Sequence, residues 1–243
     1  MADDAELSGQ ITQVDEATQR LMDGLDGLTD ADTARPTLCP GWTFGHILTH
    51  LARNADALRR CAEGAQRDEV MPMYDSAEAR NRDIEAGAGR PMTELIADVV
   101  ASSQALADVW PALSPAEWAR QMRHATTGLW PVSVTPGLRL GEVEIHHVDL
   151  AHDFGPADWP QAFVASLLPK DGELARRAPD GLGLDVRATD TGASWSSGPA
   201  GSRRVSVIGP SWAVAAWLVG RAEPARAALS VTGDELPVLK SWP

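Results

Sequence analysis

The segment LRLGEVEIHHVDLAHDF, residues 138–154, constrains the fold more than any other stretch of the chain. On a helical wheel at roughly 100° per residue, Glu142, His146 and Asp149 fall on one narrow strip, with Arg139 at its edge. Leu140, Val143, Leu150, Ala151 and Phe154 lie on one flank of the strip, and Ile145 and Val148 on the other. A surface helix has a broad polar face opposite a single apolar stripe. A thin polar strip between two apolar flanks instead suits a helix buried in a bundle, its polar groups aimed at a shared interior site.

Three further helices are predicted upstream. Residues 5–27 carry Leu7, Ile11, Val14, Ala17, Leu21 and Leu25 at helical spacing. After the proline-rich ADTARPTLCPG, the segment WTFGHILTHLARNADALRRC repeats apolar Phe44, Ile47, Leu48, Leu51, Ala55 and Leu58. RPMTELIADVVASSQALADVWPAL gives the third helix, opened by Pro91 and closed before Pro111. The fourth starts after TPG.

The pattern changes near FGPADWP. Residues 160–178 read as helical, and GLGLDVRATD and RRVSVIG alternate like strands around the turn TGASWSSGPAGS. PSWAVAAWLVGR reads as a short buried helix from Pro210, and ARAALSVTGD as a further strand. The expected class is α+β: a four-helix bundle over residues 1–156 carrying the site, then a small α/β domain over 157–243. The chain has no internal repeat and no low-complexity tract.

A formal charge of −13 argues against nucleic acid, whose phosphates need a basic patch. The start MADDAELSGQ lacks the apolar core of a secretory signal, and no apolar run approaches membrane-spanning length. Cys39 and Cys61 form neither a disulfide framework nor a CxxC motif. A cytoplasmic protein acting as a monomer is expected.

Glu142 and His146 stand four residues apart, so both side chains reach one ion. Glu144 and His147 form a competing pair at i, i+3. His147, however, shares the apolar flank of Val143 and Leu150, where a hydrogen-bonded core histidine is the simpler reading. The wheel therefore favours Glu142 and His146. A third ligand must come from another helix, and His50 borders the stripe of Ile47, Leu51 and Leu58, whereas His46 points further towards solvent. His124 and His152 lie outside this geometry. Spacing alone leaves a metal centre and a set of structural histidines both open.

The chain resembles the mycothiol-dependent maleylpyruvate isomerases of the DinB-like superfamily over essentially its whole length. The resemblance rests on GWTFGHILTHLARNADAL, MPMYDSAEARNRDIEAG, RLGEVEIHHVDL, WLVGR and the tryptophan-containing tail, the second being the most specific to the isomerase branch. It implies an N-terminal DinB-like bundle, a C-terminal α/β domain, and a divalent metal, usually zinc, held by two histidines and a glutamate. By motif those ligands fall on His50, Glu142 and His146, the three that the wheel selects. It also implicates Arg80 of the EARN motif and Arg221 of the late GR motif in catalysis and cofactor binding. The implied reaction is the conversion of maleylpyruvate to fumarylpyruvate by reversible addition of the thiol of mycothiol, within gentisate-type aromatic degradation in actinobacteria. A mycothiol S-transferase, or a metal-dependent binding module without turnover, would share the same residues. The departure from the family pattern is Gly141, before Glu142, where relatives often carry a larger residue. The nine tryptophans, Trp42, Trp110, Trp130, Trp212 and Trp217 among them, are expected to serve packing, with the ligand site in a cleft between the domains.

Overall fold

The computed structural model describes residues 4–170, 172–199, 201–233 and 235–240. The chain divides into two compact units, one up to Phe154 and one from Gly155. The first contains helices α1 (Asp4–Gly24), α2 (Phe44–Gln66), α3 (Ala77–Gly87), α4 (Met92–Val109), α5 (Pro115–Trp118) and α6 (Thr135–Asp149). A hairpin of β1 (Gln121–His124) and β2 (Gly128–Pro131) separates α5 from α6. Helices α1, α2, α4 and α6 form the bundle, α2 packing on α4 and α6, and α1 on α6 and α4. Its centre is the predicted apolar set: Leu21, Phe44, Ile47, Leu48, Leu51 and Leu58 are all fully buried.

Two elements carry too little apolar periodicity to be read from sequence. In α3 one residue, Ile84, is buried, and the helix is fixed instead by Ser76, whose hydroxyl accepts from the Ala79 N–H at 3.1 Å. The hairpin strands are four residues each, too short for a periodic signal, and Met122 is their one fully buried residue. Boundaries also shift. Helix α1 ends at Gly24 rather than continuing to residue 27, because a turn closes through Leu25 N–H to Met22 O at 3.1 Å. Helix α6 begins at Thr135, taking Pro136 into its first turn, and ends at Asp149 instead of 154. There Ala151 turns into the left-handed region at φ 51°, and the Leu38 N–H takes the Asp149 carbonyl at 2.8 Å.

Gly45 shows how closely these elements meet. A Cβ on it would stand 1.9 Å from the Ala88 carbonyl oxygen, just past α3. Glycine is therefore required at the first turn of α2. Gly45→Ala is expected to destabilise the protein by about 1–3 kcal/mol, the usual range for overpacking. An unchanged urea midpoint would show that the contact relaxes freely.

The second unit holds α7 (Gln161–Leu167), α8 (Glu173–Arg177), β3 (Leu182–Ala188), β4 (Ser194–Ser197), β5 (Arg203–Gly209), α9 (Ser211–Leu218) and β6 (Ser230–Val231). The sheet order is β4-β3-β5-β6, with β3 and β5 parallel, Val186 opposite Val207, and both edge strands antiparallel. Alternation puts Leu184, Val186, Ala188, Val205 and Val207 in the core, and α9 packs on β3, β5 and α7. The helix expected over 160–178 is two helices, because Leu168 takes the extended conformation imposed by Pro169. Strand β4 lies in what reads as a turn, and the strand expected over ARAALSVTGD is confined to β6, its first four residues closing a 3-10 segment, Glu223–Ala228. The class is α+β. No helix among the described residues is long and apolar enough to cross a membrane.

Candidate metal centre

Helix α2 is preceded by its cap residue Thr43, whose N–H donates to His46 Nδ1 at 3.2 Å, while His46 Nε2 lies 3.1 Å from Glu85 Oε2. His46 is thus a capping residue. One turn later α2 presents His50 to the face of α6 that carries Glu142 and His146. His50 Nε2 is 2.8 Å from Glu142 Oε2, and His146 Nε2 is 3.4 Å from the same oxygen. The three donor atoms all lie within 4.8 Å of one another. The side chains of His50 and His146 are 3% and 13% exposed and that of Glu142 is 32% exposed, so the cluster is closed on the histidine side and open at the carboxylate.

Electrostatics bind the cluster together. Burial pushes His50 below the ordinary imidazole range, partly offset by Glu142. Burial would raise Glu142, but the His50 and His146 imidazoles overcome it and hold the carboxyl well below its usual value. For His146, burial pulls downward and is outweighed by Asp149, Cys39 and Glu142, leaving the ring well above its usual value.

Arg80, on α3, joins the centre. Its Nη2 lies 3.1 Å from His50 Nδ1, and its Cζ is 5.8 Å from the Trp42 ring centroid and 5.6 Å from that of Tyr74. Trp42 also stands edge-on to His50 at 5.3 Å and stacks towards His146 at 6.2 Å. Both aromatics escape sequence reasoning, which treats Trp42 as packing and gives Tyr74 no role. The cue available was their position, each within the motifs GWTFGH and MPMYDS. Arg221 lies in the second unit just past α9, its N–H donating to Ala216 O at 2.7 Å and its Nη1 to Val219 O at 3.3 Å.

Arg139 is not at the edge of the cluster. It is fully buried in the bundle, with Nη1 donating to Leu51 O at 2.7 Å and Asn54 Oδ1 at 3.0 Å, and burial draws it down to about 10. The competing pair also points elsewhere. Glu144, buried, pairs with Arg20 of α1, and His147 stacks on Phe154 at 4.0 Å and 3°. Neither belongs to a convergent donor set among the described residues. His147→Ala is accordingly expected to cost about 1–3 kcal/mol of stability and leave metal content unchanged. Metal lost from that variant but kept in Glu142→Ala would restore the Glu144/His147 pair. His124 stacks on Trp130 in the hairpin at 4.5 Å, and His152 contacts Phe44 edge-on at 6.5 Å.

Two imidazoles and one carboxylate, convergent and with one open side, are a donor set suited to a divalent ion with a free coordination position. Fold and donor set together define a helical-bundle protein with a candidate metal centre of the two-histidine, one-carboxylate kind. Residues 14–151 match the family described as the mycothiol maleylpyruvate isomerase N-terminal domain, and the chain belongs to that family. It is similar to the crystal structure of the mycothiol-dependent maleylpyruvate isomerase, at 26% identity and TM-score 0.85 over 97% of both chains. A histidine-to-alanine mutant of that enzyme matches with the same figures, 26% identity and TM-score 0.85. YfiT from Bacillus subtilis, a four-helix bundle of unusual topology, matches at 14% identity and TM-score 0.54, over 62% of this chain and 87% of that one, a likeness of fold alone. No curated protein sequence matches the chain.

Proposed function

We propose that the protein catalyses the mycothiol-dependent cis–trans isomerisation of maleylpyruvate to fumarylpyruvate, in gentisate-type degradation of aromatic compounds, with His50, Glu142 and His146 holding a divalent metal, zinc in the first instance. The observation that carries this proposal is the convergence of those three donors beside Arg80, in a chain of this family.

A carbon–carbon double bond does not rotate until its π character is removed. When bound, mycothiol supplies a thiol that adds reversibly to the conjugated alkene, and the metal supplies the charge that keeps this thiol deprotonated. The chain itself binds, orients and manages protons. With the Arg80 guanidinium against Nδ1, the His50 ring proton sits on Nε2 and is donated to Glu142. For Nε2 to serve as a ligand, that proton moves to Nδ1. Arg80, which can only donate, then gives up the ring and has its fork available for a carboxylate. Trp42 and Tyr74 flank that guanidinium, with Cζ 5.8 and 5.6 Å from their ring centroids. We assign Arg221 the second carboxylate contact, on the GR motif.

Neither cysteine is needed as nucleophile. Cys61 is buried and its thiol is pushed up to about 11, and the Cys39 Sγ donates to Asp149 Oδ2 at 3.2 Å.

Thiol accounting after turnover tests the assignment. Mycothiol recovered unchanged alongside fumarylpyruvate is the expected result. A stable adduct consuming one thiol per substrate would make the protein an S-transferase using the same centre.

A further inference from the structure

The chain has one tyrosine, Tyr74, and the backbone on either side of it is held. Arg60 donates from Nη2 to the Met73 carbonyl at 2.8 Å and from Nη1 to Asp75 Oδ1 at 2.8 Å. Pro72 pairs with Arg123 of β1, where Arg123 N–H donates to Met71 O at 2.9 Å and Met73 N–H to Arg123 O at 3.1 Å. The ring so fixed lies with its centroid 5.6 Å from Arg80 Cζ, and Arg80 Nη2 lies 3.1 Å from His50 Nδ1. Tyr74 and Arg80 share the wall of a cavity of about 370 Å³, so neither is sealed inside the bundle.

We propose that Tyr74 is a catalytic residue, its hydroxyl donating a hydrogen bond to the carbonyl oxygen that takes up negative charge when the thiol adds to the substrate. The proposal rests on the isomerase reading and deepens it, because that reading gives Tyr74 no contact with the substrate. As the alkene takes up sulfur at one carbon, its π pair moves through the conjugation onto that carbonyl oxygen. The former double bond turns as a single bond, and the pair returns as the carbon–sulfur bond breaks. No proton leaves the phenol, and no further reactant is consumed. A donor placed where charge develops binds the oxyanion more strongly than the ground-state carbonyl, and that difference lowers the barrier.

In the proposed centre the two imidazoles and Glu142 are committed to the metal, and Arg80 to a carboxylate. A neutral O–H donor is what remains to be supplied. A carboxylate on the Arg80 fork brings the rest of the substrate against the neighbouring Tyr74 ring. Burial raises the Tyr74 phenol, and the Glu142 charge pushes it the same way, more than Arg80 draws it down. The hydroxyl therefore keeps the proton it donates.

Tyr74→Phe keeps the ring beside Arg80 and removes only the hydroxyl. Its kcat should fall about 100-fold, the lower end of what loss of one oxyanion donor costs, with KM within about threefold of wild type. Zinc content and the urea midpoint should not move. Wild-type kcat, or a loss of activity that tracks loss of zinc, would overturn the proposal. A second arm needs no turnover. Protein labelled with 3-fluorotyrosine has one fluorine signal, and 2,4-dioxopentanoate carries the dioxo acid without an alkene. Titrated with zinc present, this probe should move the signal saturably, and by calorimetry Tyr74→Phe should bind it about tenfold more weakly. A signal that stays in place, or equal affinity in the two proteins, would overturn the proposal. Wild-type protein that binds the probe through Tyr74 but does not isomerise maleylpyruvate would defeat the isomerase reading and leave the Tyr74 contact established.

Discussion

His50→Ala is expected to lose zinc and to bring isomerase activity to background. In the proposed centre His50 is one of three protein donors, and its side chain is only 3% exposed. Its loss also strips Glu142 of its 2.8 Å partner and of the charge that counters the carboxylate's burial. The drop in affinity should therefore exceed about a hundredfold, more than the 10–100-fold that follows loss of an outer-shell group alone. Glu142→Ala should behave alike. Bound zinc and turnover are the two measurements, with the urea midpoint checked alongside, because a buried truncation also leaves a cavity. Full zinc occupancy with normal turnover in His50→Ala would take His50 out of the centre.

Arg80→Ala and Arg221→Ala should each lose at least about tenfold in kcat/KM, roughly 1.4 kcal/mol of transition-state stabilisation, while keeping their zinc. The proposed substrate carries two carboxylates, and its product differs from it mainly in where one of them points. Fixed cations must hold the end that stays still while the other swings. Among the described residues Arg80 faces no carboxylate, unlike its neighbours Arg53, 2.7 Å from Asp98, and Arg60, 2.8 Å from Asp75. A guanidinium left without a counter-ion beside a metal centre is suited to an anionic ligand. Arg80→Lys separates charge from shape, because a lysine keeps the cation and loses the planar fork. It should recover only part of the activity. Wild-type kinetics in both alanine variants would leave these arginines as structural charges.

Much of the candidate centre's geometry is legible in the sequence because two helices with strong apolar periodicity carry it. The thin strip on α6 singles out Glu142, His146 and Asp149, and the edge of the α2 stripe singles out His50. Periodicity gives direction around an axis but not depth, so it sets Arg139 at the edge of the strip when its guanidinium reaches into the bundle to Leu51 and Asn54. It also has nothing to detect in α3, where a serine cap and one buried isoleucine fix the helix that carries Arg80. Nor does it register the end of α6, which is set by a left-handed alanine and by a hydrogen bond from Leu38, more than a hundred residues upstream. Trp42 illustrates the same limit. A tryptophan beside an apolar helix reads as packing, and only the fold brings it against His50, His146 and Arg80 together.

The central claim is tested most directly by following the absorbance of maleylpyruvate with purified zinc-loaded protein, with and without mycothiol. Conversion to fumarylpyruvate is predicted with mycothiol at a small fraction of the substrate concentration, and none above the uncatalysed rate without it. No conversion in the presence of mycothiol, or the same conversion in its absence, would contradict the account.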